Sequence, residues 1–577
     1  MDEQLNKKTL DELAEFKEEE VVPAAPSAES ADLDSEESDQ AEEQGNISPS
    51  LRTLKTLIDG STTFFRANQF DVYATITTTA GVVHVKIYSR IFKMYLSGIA
   101  LSNSIMPTDT TLNAVINWIE YETVNAENNI EEVHYRKGFD KDGNLWILRS
   151  TDPMEYIKVT TEGYESQLTD CPIKIVVNET AKELPLPLPK KQDGDLNLIN
   201  KYVNLEPSKL PLLHSLLTCF YVLKNEFPIT LAQGQHNTGK STMIKVIYSL
   251  VDPNESRLRG MVAEKREMYT AAGKTHLFGM DNLKVIPTWW SEIVCQIATG
   301  AEVEYRRHYS NDETIVIRVC NPVIIGSIHP VSTETDFISR AVLLPTQEIS
   351  STDRQTNEVF WDSFKNDSRT IFTGLLNAIS HVLKNRSSTN TDNLSRITDF
   401  HILGRTLNSH GLNWEIDFDT AMGGSIEETN EQLVEENPIA QLLIMQLNAS
   451  GLTSLSYKTA KWNVVLQSVD DNLNQEEQKF LQEQTKDYEI RYLGRAFARI
   501  VEPLMHMGYK FTKKKMNDGS YWKIEHIPNS DATHATHATD RAEHIPSDSG
   551  KSGKSGVKLN RQDYTGTIFE PKDNKNG

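Results

Sequence analysis

Apolar and polar residues alternate over residues 71–76 and again over 82–87, on either side of Gly81, the period of two half-buried strands joined as a hairpin. The spacing lengthens to a helical period over 109–126. Residues 133–136 and 145–148 then flank Asp140-Lys-Asp-Gly143 as a second hairpin. Proline at every second position of Leu184-Pro-Leu-Pro-Leu-Pro189 excludes helix and predicts an extended boundary over 185–195. Beyond it, short apolar runs at 227–232, 275–281, 314–320 and 341–345 read as strands, with helical spacing over 242–250. Helical spacing returns over 488–507. Two strands follow at 509–515 and 521–525, around an Asn517-Asp518-Gly519 turn.

Five segments result: an acidic tail at 1–50, an α+β domain at 51–190, an α/β domain at 191–400, a helical region ending in a helix and hairpin at 401–528, and a low-complexity tail at 529–577. A chain of 577 residues exceeds the ~250–300 at which single cores stop growing, so several folded units are expected. The net charge of −22 is mostly one tail, because residues 1–50 hold 16 Asp/Glu against three Lys. With few large apolar residues, that tail is expected to be disordered. Cys171, Cys219, Cys295 and Cys320 lie far apart without zinc-site spacing, which suggests neither disulfides nor structural zinc and fits a cytoplasmic, reducing compartment. No run approaches the ~20 apolar residues of a membrane span.

Gly234-Gln-His-Asn-Thr-Gly239-Lys240-Ser241 fits the phosphate-loop pattern at every fixed position, between a strand and a helix. Such a loop aims successive N–H groups, Gly234, Asn237, Thr238, Gly239 and Thr242 among its residues, at the phosphates of ATP. Lys240 supplies charge and Ser241 a hydroxyl for Mg²⁺. Asp281 ends an apolar run about 40 residues on and is the expected second Mg²⁺ group. Asn321 either orients an attacking water or is a turn residue before Pro322, and Arg340 either reaches a neighbouring subunit's nucleotide or lies on a solvated face.

Taken in order, the loop, Val251-Asp252-Pro253, Met280-Asp281-Asn282-Leu283, Ile297-Ala-Thr-Gly300, Arg306-Arg307-His-Tyr309 and Asp336-Phe-Ile-Ser-Arg340 resemble superfamily 3 (AAA+) helicases. More narrowly, residues 60–526 are similar to the helicase-like ATPases of phages, plasmids and integrative elements, related to poxvirus primase-helicase and virulence-associated E proteins. The resemblance implies an ATP-dependent DNA helicase or helicase-like ATPase in mobile-element replication, assembled as a ring, expected to be a hexamer. It also implies a C-terminal winged helix. In its channel a hairpin carrying Arg306, Arg307 and Tyr309 would grip single-stranded DNA, against a structural role for the arginine pair. Duplex contacts would come from Arg491 and Arg495, on one helix face with Arg499, and from Lys513, Lys514 and Lys515; the alternative is a solvated helix and a protected edge hairpin. Many AAA+ ATPases follow the aspartate with glutamate, but here Asn282 stands. Either another carboxylate such as Glu292 serves, or hydrolysis is slow and the chain is a nucleotide-gated DNA-binding initiator. The N-terminal domain lacks paired catalytic carboxylates and reads as a non-catalytic primase-like remnant.

Overall fold

In the computed structural model, residues 48–527 are described apart from 69–70, 128, 256–257, 285, 307–313, 333, 351, 353, 436, 470–478, 480–489 and 518. They form a mixed α/β, multidomain chain. The expected first hairpin is present as Val72–Thr78 and Gly81–Lys86, within a five-stranded sheet ordered Thr63–Arg66, Val72–Thr78, Gly81–Lys86, Lys174–Val176, Val133–Tyr135. Alternation sends Val72, Ala74 and Ile76 to one face, against helices Pro49–Asp59, Arg90–Ser102 and Asp109–Asn125. Phe65, Tyr73 and Val176 cluster on the opposite face.

The second hairpin differs from expectation. Val133–Tyr135 pairs in parallel with Lys174–Val176 in the first sheet, and the arm opposite Leu145–Thr151 is Lys137–Phe139. Arg136, between them at φ 63°, turns the chain from one sheet to the next. Asp140 is a turn residue as read: its carboxylate accepts from the N–H groups of Asp142 and Asn144 and from the Trp146 indole.

The proline run is anchored. Leu188 N–H donates to Thr373 Oγ1 at 2.8 Å, and Arg369 donates to Leu186 O at 2.9 Å, both from the long helix Asn357–Asn385. One core accordingly holds Leu145, Ile147 and Ile157 of the second sheet together with Leu212, Leu216, Phe372 and Phe400.

Four parallel strands follow, ordered Phe278–Leu283, Val323–Ser327, Ile229–Gln233, Ala341–Pro345. Both faces are buried, which explains their near-continuous apolar sequence. Ile229, Leu231, Val323, Ile325, Ala341 and Leu343 pack on Trp290, Ile293 and Ile297 of helix Thr288–Thr299. The alternate residues Ala232, Ile324, Val342 and Leu344 face Met243, Ile244 and Ile247 of helix Lys240–Val251. Helix Phe418–Glu435 lies against the outer strand, and its Ser425 hydroxyl accepts the Leu343 N–H at 3.0 Å.

Toward the C-terminus, Ser454–Lys458, Gly519–His526 and Tyr509–Met516 form an antiparallel sheet over Trp462, Phe497 and Leu504. The helix expected over 488–507 is two, Ile490–Arg499 and Val501–His506, with the break at Ile500. Among the described residues no helix is long and apolar enough to cross a membrane.

Asp252 ties the N-terminal sheets to the parallel sheet. Its Oδ1 receives Arg136 Nε at 2.9 Å, and its Oδ2 receives the N–H groups of His276 and Leu277 at 2.9 and 3.2 Å. Arg136 also donates to the carbonyls of Leu148, Lys182 and Pro253, and the pair is buried. Breaking such a pair from one side leaves a stranded charge. Arg136→Ala is therefore expected to cost about 3–5 kcal/mol, read as a lower denaturant midpoint, and an unchanged midpoint would contradict the pair's role.

Burial also holds two histidines neutral. His214, whose ring nitrogens meet Trp414 Nε1 (2.9 Å) and Asn200 Oδ1 (3.1 Å), is pushed down to about 3, as is His276. Both folded values lie below the unfolded 6.5, so their contribution is intact above pH 6.5 and is lost as pH falls toward 3. Chemical denaturation at pH 7.5 and 5.5 should show the loss, at up to about 1.4 kcal/mol per pH unit for each histidine. Equal midpoints at the two pH values would refute it.

Candidate functional site

Parallel register brings the ends of the strands to one edge: Gln233 lies beside Ser327 and Pro345, and Leu283 beside Ser327. The loop Gly234–Lys240 leaves Gln233 there and enters helix Lys240–Val251, with Gly239 at φ 84° as the residue before the first turn. A left-handed residue at that position is natural for glycine. Gly234 is required for a different reason, since a Cβ there would strike the Thr346 hydroxyl and carbonyl. Asn237 takes φ 63° at an exposed position, a conformation asparagine tolerates.

Lys240 is only 8% exposed, and its ammonium lies inside the loop, donating to the carbonyls of Gly234 (2.6 Å) and Gln235 (2.5 Å). Burial lowers its pKa and the Asp281 charge opposes that. Ser241 Oγ donates to Asp281 Oδ2 at 2.5 Å. The sequence-predicted Ser241 and Asp281 thus meet, with the Lys240 ammonium in the adjoining loop, although the Asp281 strand is separated from the strand leading into the loop by Val323–Ser327. Thr238 is buried beneath the loop, bonded to Gln235 O (2.9 Å) and Thr346 Oγ1 (2.7 Å). Thr242, the third residue of the helix, is half-buried.

Asn282 follows Asp281 in a bulge, where the pairing with Val323–Ser327 shifts between Met280 and Leu283. Its φ is 58°, and its N–H donates to Asp281 Oδ1 at 2.9 Å. The bulge accounts for the residue type: asparagine accepts a left-handed backbone more readily than glutamate. Glu292 is exposed on helix Thr288–Thr299, where its charge acts on Tyr269.

Two expected site residues stand elsewhere. Asn321 precedes strand Val323–Ser327, at the opposite edge of the sheet, roughly 17 Å from the loop by the rise of a five-residue strand. It is buried there, its Nδ2 donating to Thr275 O at 2.5 Å and His276 O at 3.3 Å, which is a structural role. The water-orienting reading of Asn321 is corrected accordingly. Arg340 likewise precedes its strand, with its carbonyl bonded to Ile229 N–H at that same far edge, so it does not reach the loop of its own chain. Its guanidinium pairs with Asp336, which also holds Arg396 at 2.5 Å.

Three residues at the loop edge were not anticipated. Ser327 O accepts the Gly234 N–H at 3.2 Å, and Thr346 N–H donates to Gln233 O at 2.7 Å. Asn204 Nδ2 bridges Thr238 O (3.1 Å) and Gln347 O (2.5 Å). Ser327 and Thr346 each end an apolar run, the available signal for them. Asn204 reaches the loop only through the fold.

Ala301–Arg306 and Thr314–Val319 form the expected hairpin. Arg307 and Tyr309 lie outside the described residues, as do the side chains of Arg306 and Arg491. Arg495 is exposed, but Arg499 turns inward to Glu334 at 3.3 Å and leaves the expected basic stripe. Lys513, Lys514 and Lys515 are exposed on Tyr509–Met516, with Lys513 over the Trp522 ring.

An ATP-loop with Mg²⁺ fits the groups present. Ser241 and Asp281 offer two hard oxygen donors in contact, and Mg²⁺ commonly takes one or two protein ligands plus water and phosphate oxygens. Among the described residues no cluster of three or more His, Cys, Asp or Glu forms a separate metal cage.

Residues 197–418 match the family of actinomycete integrative conjugative element replication proteins. No curated protein matches the chain. Among solved structures, the apo NrS-1 C-terminal region is 12% identical, with 84% of this chain and all of that one covered and a TM-score of 0.34. An inhibitor-bound JCV helicase is also 12% identical, over 40% of this chain and 64% of that one, with a TM-score of 0.21.

The fit around Asp281 is testable by adding one methyl group. A Cβ on Gly326 would strike Asp281 Oδ1 and lie 2.9 Å from Ile244 Cδ1. Gly326→Ala should destabilise by about 1–3 kcal/mol in thermal or denaturant unfolding, whereas Gly143→Ala, with open space around it but φ 80°, tests the strain of a turn alone. A neutral Gly326→Ala would show that Asp281 is not held as described.

Proposed function

We propose that this chain is a phosphate-loop ATPase of the superfamily 3 AAA+ type that acts as a DNA helicase in replication of an integrative or other mobile element. The observation that carries the reading is the 2.5 Å contact between Ser241 and Asp281 beside a lysine folded into its own loop. The match of residues 197–418 to replication proteins of conjugative elements supports the replication setting.

The chemistry follows from the groups. Phosphate oxygens would replace the Gly234 and Gln235 carbonyls as acceptors for Lys240, trading neutral acceptors for charged ones, which roughly doubles the strength of such bonds. The N-terminus of helix Lys240–Val251 faces the same point and favours negative charge. Mg²⁺, when bound, would neutralise charge developing between the β- and γ-phosphates. Ser241 and Asp281 would hold it, and Asp281 would exchange its serine hydrogen bond for that role. Arg340, unable to reach its own loop, would complete the site of a neighbouring subunit, held until then by Asp336, the carboxylate it shares with Arg396. In this reading the active form is a ring, with single-stranded DNA at the hairpin and duplex at a C-terminal winged helix whose wing bears Lys513 to Lys515.

Asn282 favours a second reading. An exposed amide in a left-handed bulge cannot take a proton from water, so the chain could be a nucleotide-gated DNA-binding initiator that hydrolyses ATP slowly.

Lys240→Ala should weaken ATP binding by about ten- to a hundredfold, measured by titration calorimetry, through loss of a charged hydrogen bond worth about 1.5–3 kcal/mol. Arg340→Ala should leave binding intact and lower the hydrolysis rate by about a thousandfold or more. Mixing the two inactive variants should restore part of the activity, because some interfaces then pair an intact loop with an intact arginine. Failure to restore it would refute the shared site. Wild-type binding of ATP without unwinding of a forked duplex would leave the initiator reading.

A further inference from the structure

At the edge where the parallel strands begin, opposite the loop, a cleft of about 980 Å³ opens between the N-terminal sheets and the body of the parallel sheet. That is the upper end of the ~300–1,000 Å³ of small-ligand sites. Residues 301–302 and 316–319 of the hairpin line one side, and residues 132–135 and 137–139 line the other.

Its charges are uneven. Lys86 is tied to Asp71, and Arg318 to Glu302 at 2.8 Å. Glu132 is the remaining carboxylate of the lining, 3.9 Å from His134. Lys224, Arg266 and Lys274 have no carboxylate partner among the described residues, although the whole chain carries −22. Rings stand among these cations. Tyr135 and Phe139 are half-buried in the lining, with the Lys224 ammonium 4.8 Å from the centre of the Phe139 ring. Beneath them Lys137 is committed to the fold: it donates to Leu223 O at 2.5 Å, and burial pushes it down to about 7.

Unpaired cations interleaved with aromatic faces in an open cleft are the recognition chemistry of single strands, which offer phosphates and unstacked bases together. A duplex keeps its bases stacked inward, and an acidic peptide has no use for the rings. We propose that this cleft binds single-stranded nucleic acid, with Lys224, Arg266 and Lys274 on its phosphates and Tyr135 and Phe139 against its bases. The inference rests on the helicase reading for its setting and adds a binding site between the N-terminal sheets and the parallel sheet.

The test uses the full chain and fluorescein-labelled dT15, followed by anisotropy across a salt series. Lys224→Glu/Arg266→Glu/Lys274→Glu should weaken binding at least about tenfold and lower the slope of log affinity against log salt by about 2, three contacts at ~0.7 each. Reversing three exposed cations elsewhere, Arg52→Glu/Arg90→Glu/Lys141→Glu, should change affinity less than about threefold, which separates the cleft from the general field. Tyr135→Leu should weaken binding by about five- to tenfold without changing the slope, and iododeoxyuridine-substituted dT15 should crosslink within 132–139. Equal loss in both triple variants, crosslinks confined to other segments, or stronger competition by thymidine monophosphate or polyglutamate than by unlabelled dT15 would each overturn the proposal. ATP binding separates the two readings: the cleft variants should retain it, and Lys240→Ala should weaken it by about ten- to a hundredfold while still binding dT15.

Discussion

Parallel register in one four-stranded sheet is the constraint on which the candidate site depends. Strands that start together end together, so Gln233, Ser327, Pro345 and the Asp281 bulge arrive at a single edge although they are spread over more than a hundred residues of chain. Ser241 then meets Asp281 without either side chain having to reach. The same rule separates residues as firmly as it joins them. Asn321 and Arg340 lie just ahead of their strands, and no local adjustment brings a strand's start to its end.

Asp252 extends that constraint to the N-terminal sheets. It lies at the end of the helix that begins with Lys240, and it holds the backbone of His276 and Leu277, just ahead of the strand that carries Asp281. The two elements that meet at the loop edge are therefore also fastened at the other edge, and Arg136 neutralises the carboxylate that fastens them. A buried pair of this kind is weak evidence for net stability, but it makes the attachment of the N-terminal unit specific in position. The cationic cleft lies beside that attachment, between the two bodies it joins.

Much of this was legible in the sequence, and the misses have physical causes. The glycines, lysine and serine of the loop declare themselves because close approach of backbone to an anion leaves little freedom in residue type. Asp281 was legible as a carboxylate at the end of an apolar run. Asn321 misled for a related reason: a polar residue beside an apolar run marks a strand terminus, but the pattern does not say which one. Val133–Tyr135 was assigned the wrong partner because three residues carry too little alternation to choose between two sheets. The prolines of 184–189 excluded helix correctly. Their attachment to helix Asn357–Asn385 depends on residues nearly two hundred positions away and has no local signal. Asn282 was noticed as a departure, but its left-handed backbone in a bulge, the reason it is tolerated, belongs to the fold.

We propose Lys240, Ser241 and Asp281 as one Mg²⁺-dependent nucleotide site. Its most direct measurement is calorimetric titration of ATP into the full chain, with Mg²⁺ and again with excess chelator. One site per chain with Mg²⁺, and markedly weaker binding without it, is the predicted result. No saturable binding at millimolar ATP, or binding indifferent to Mg²⁺, would contradict the account.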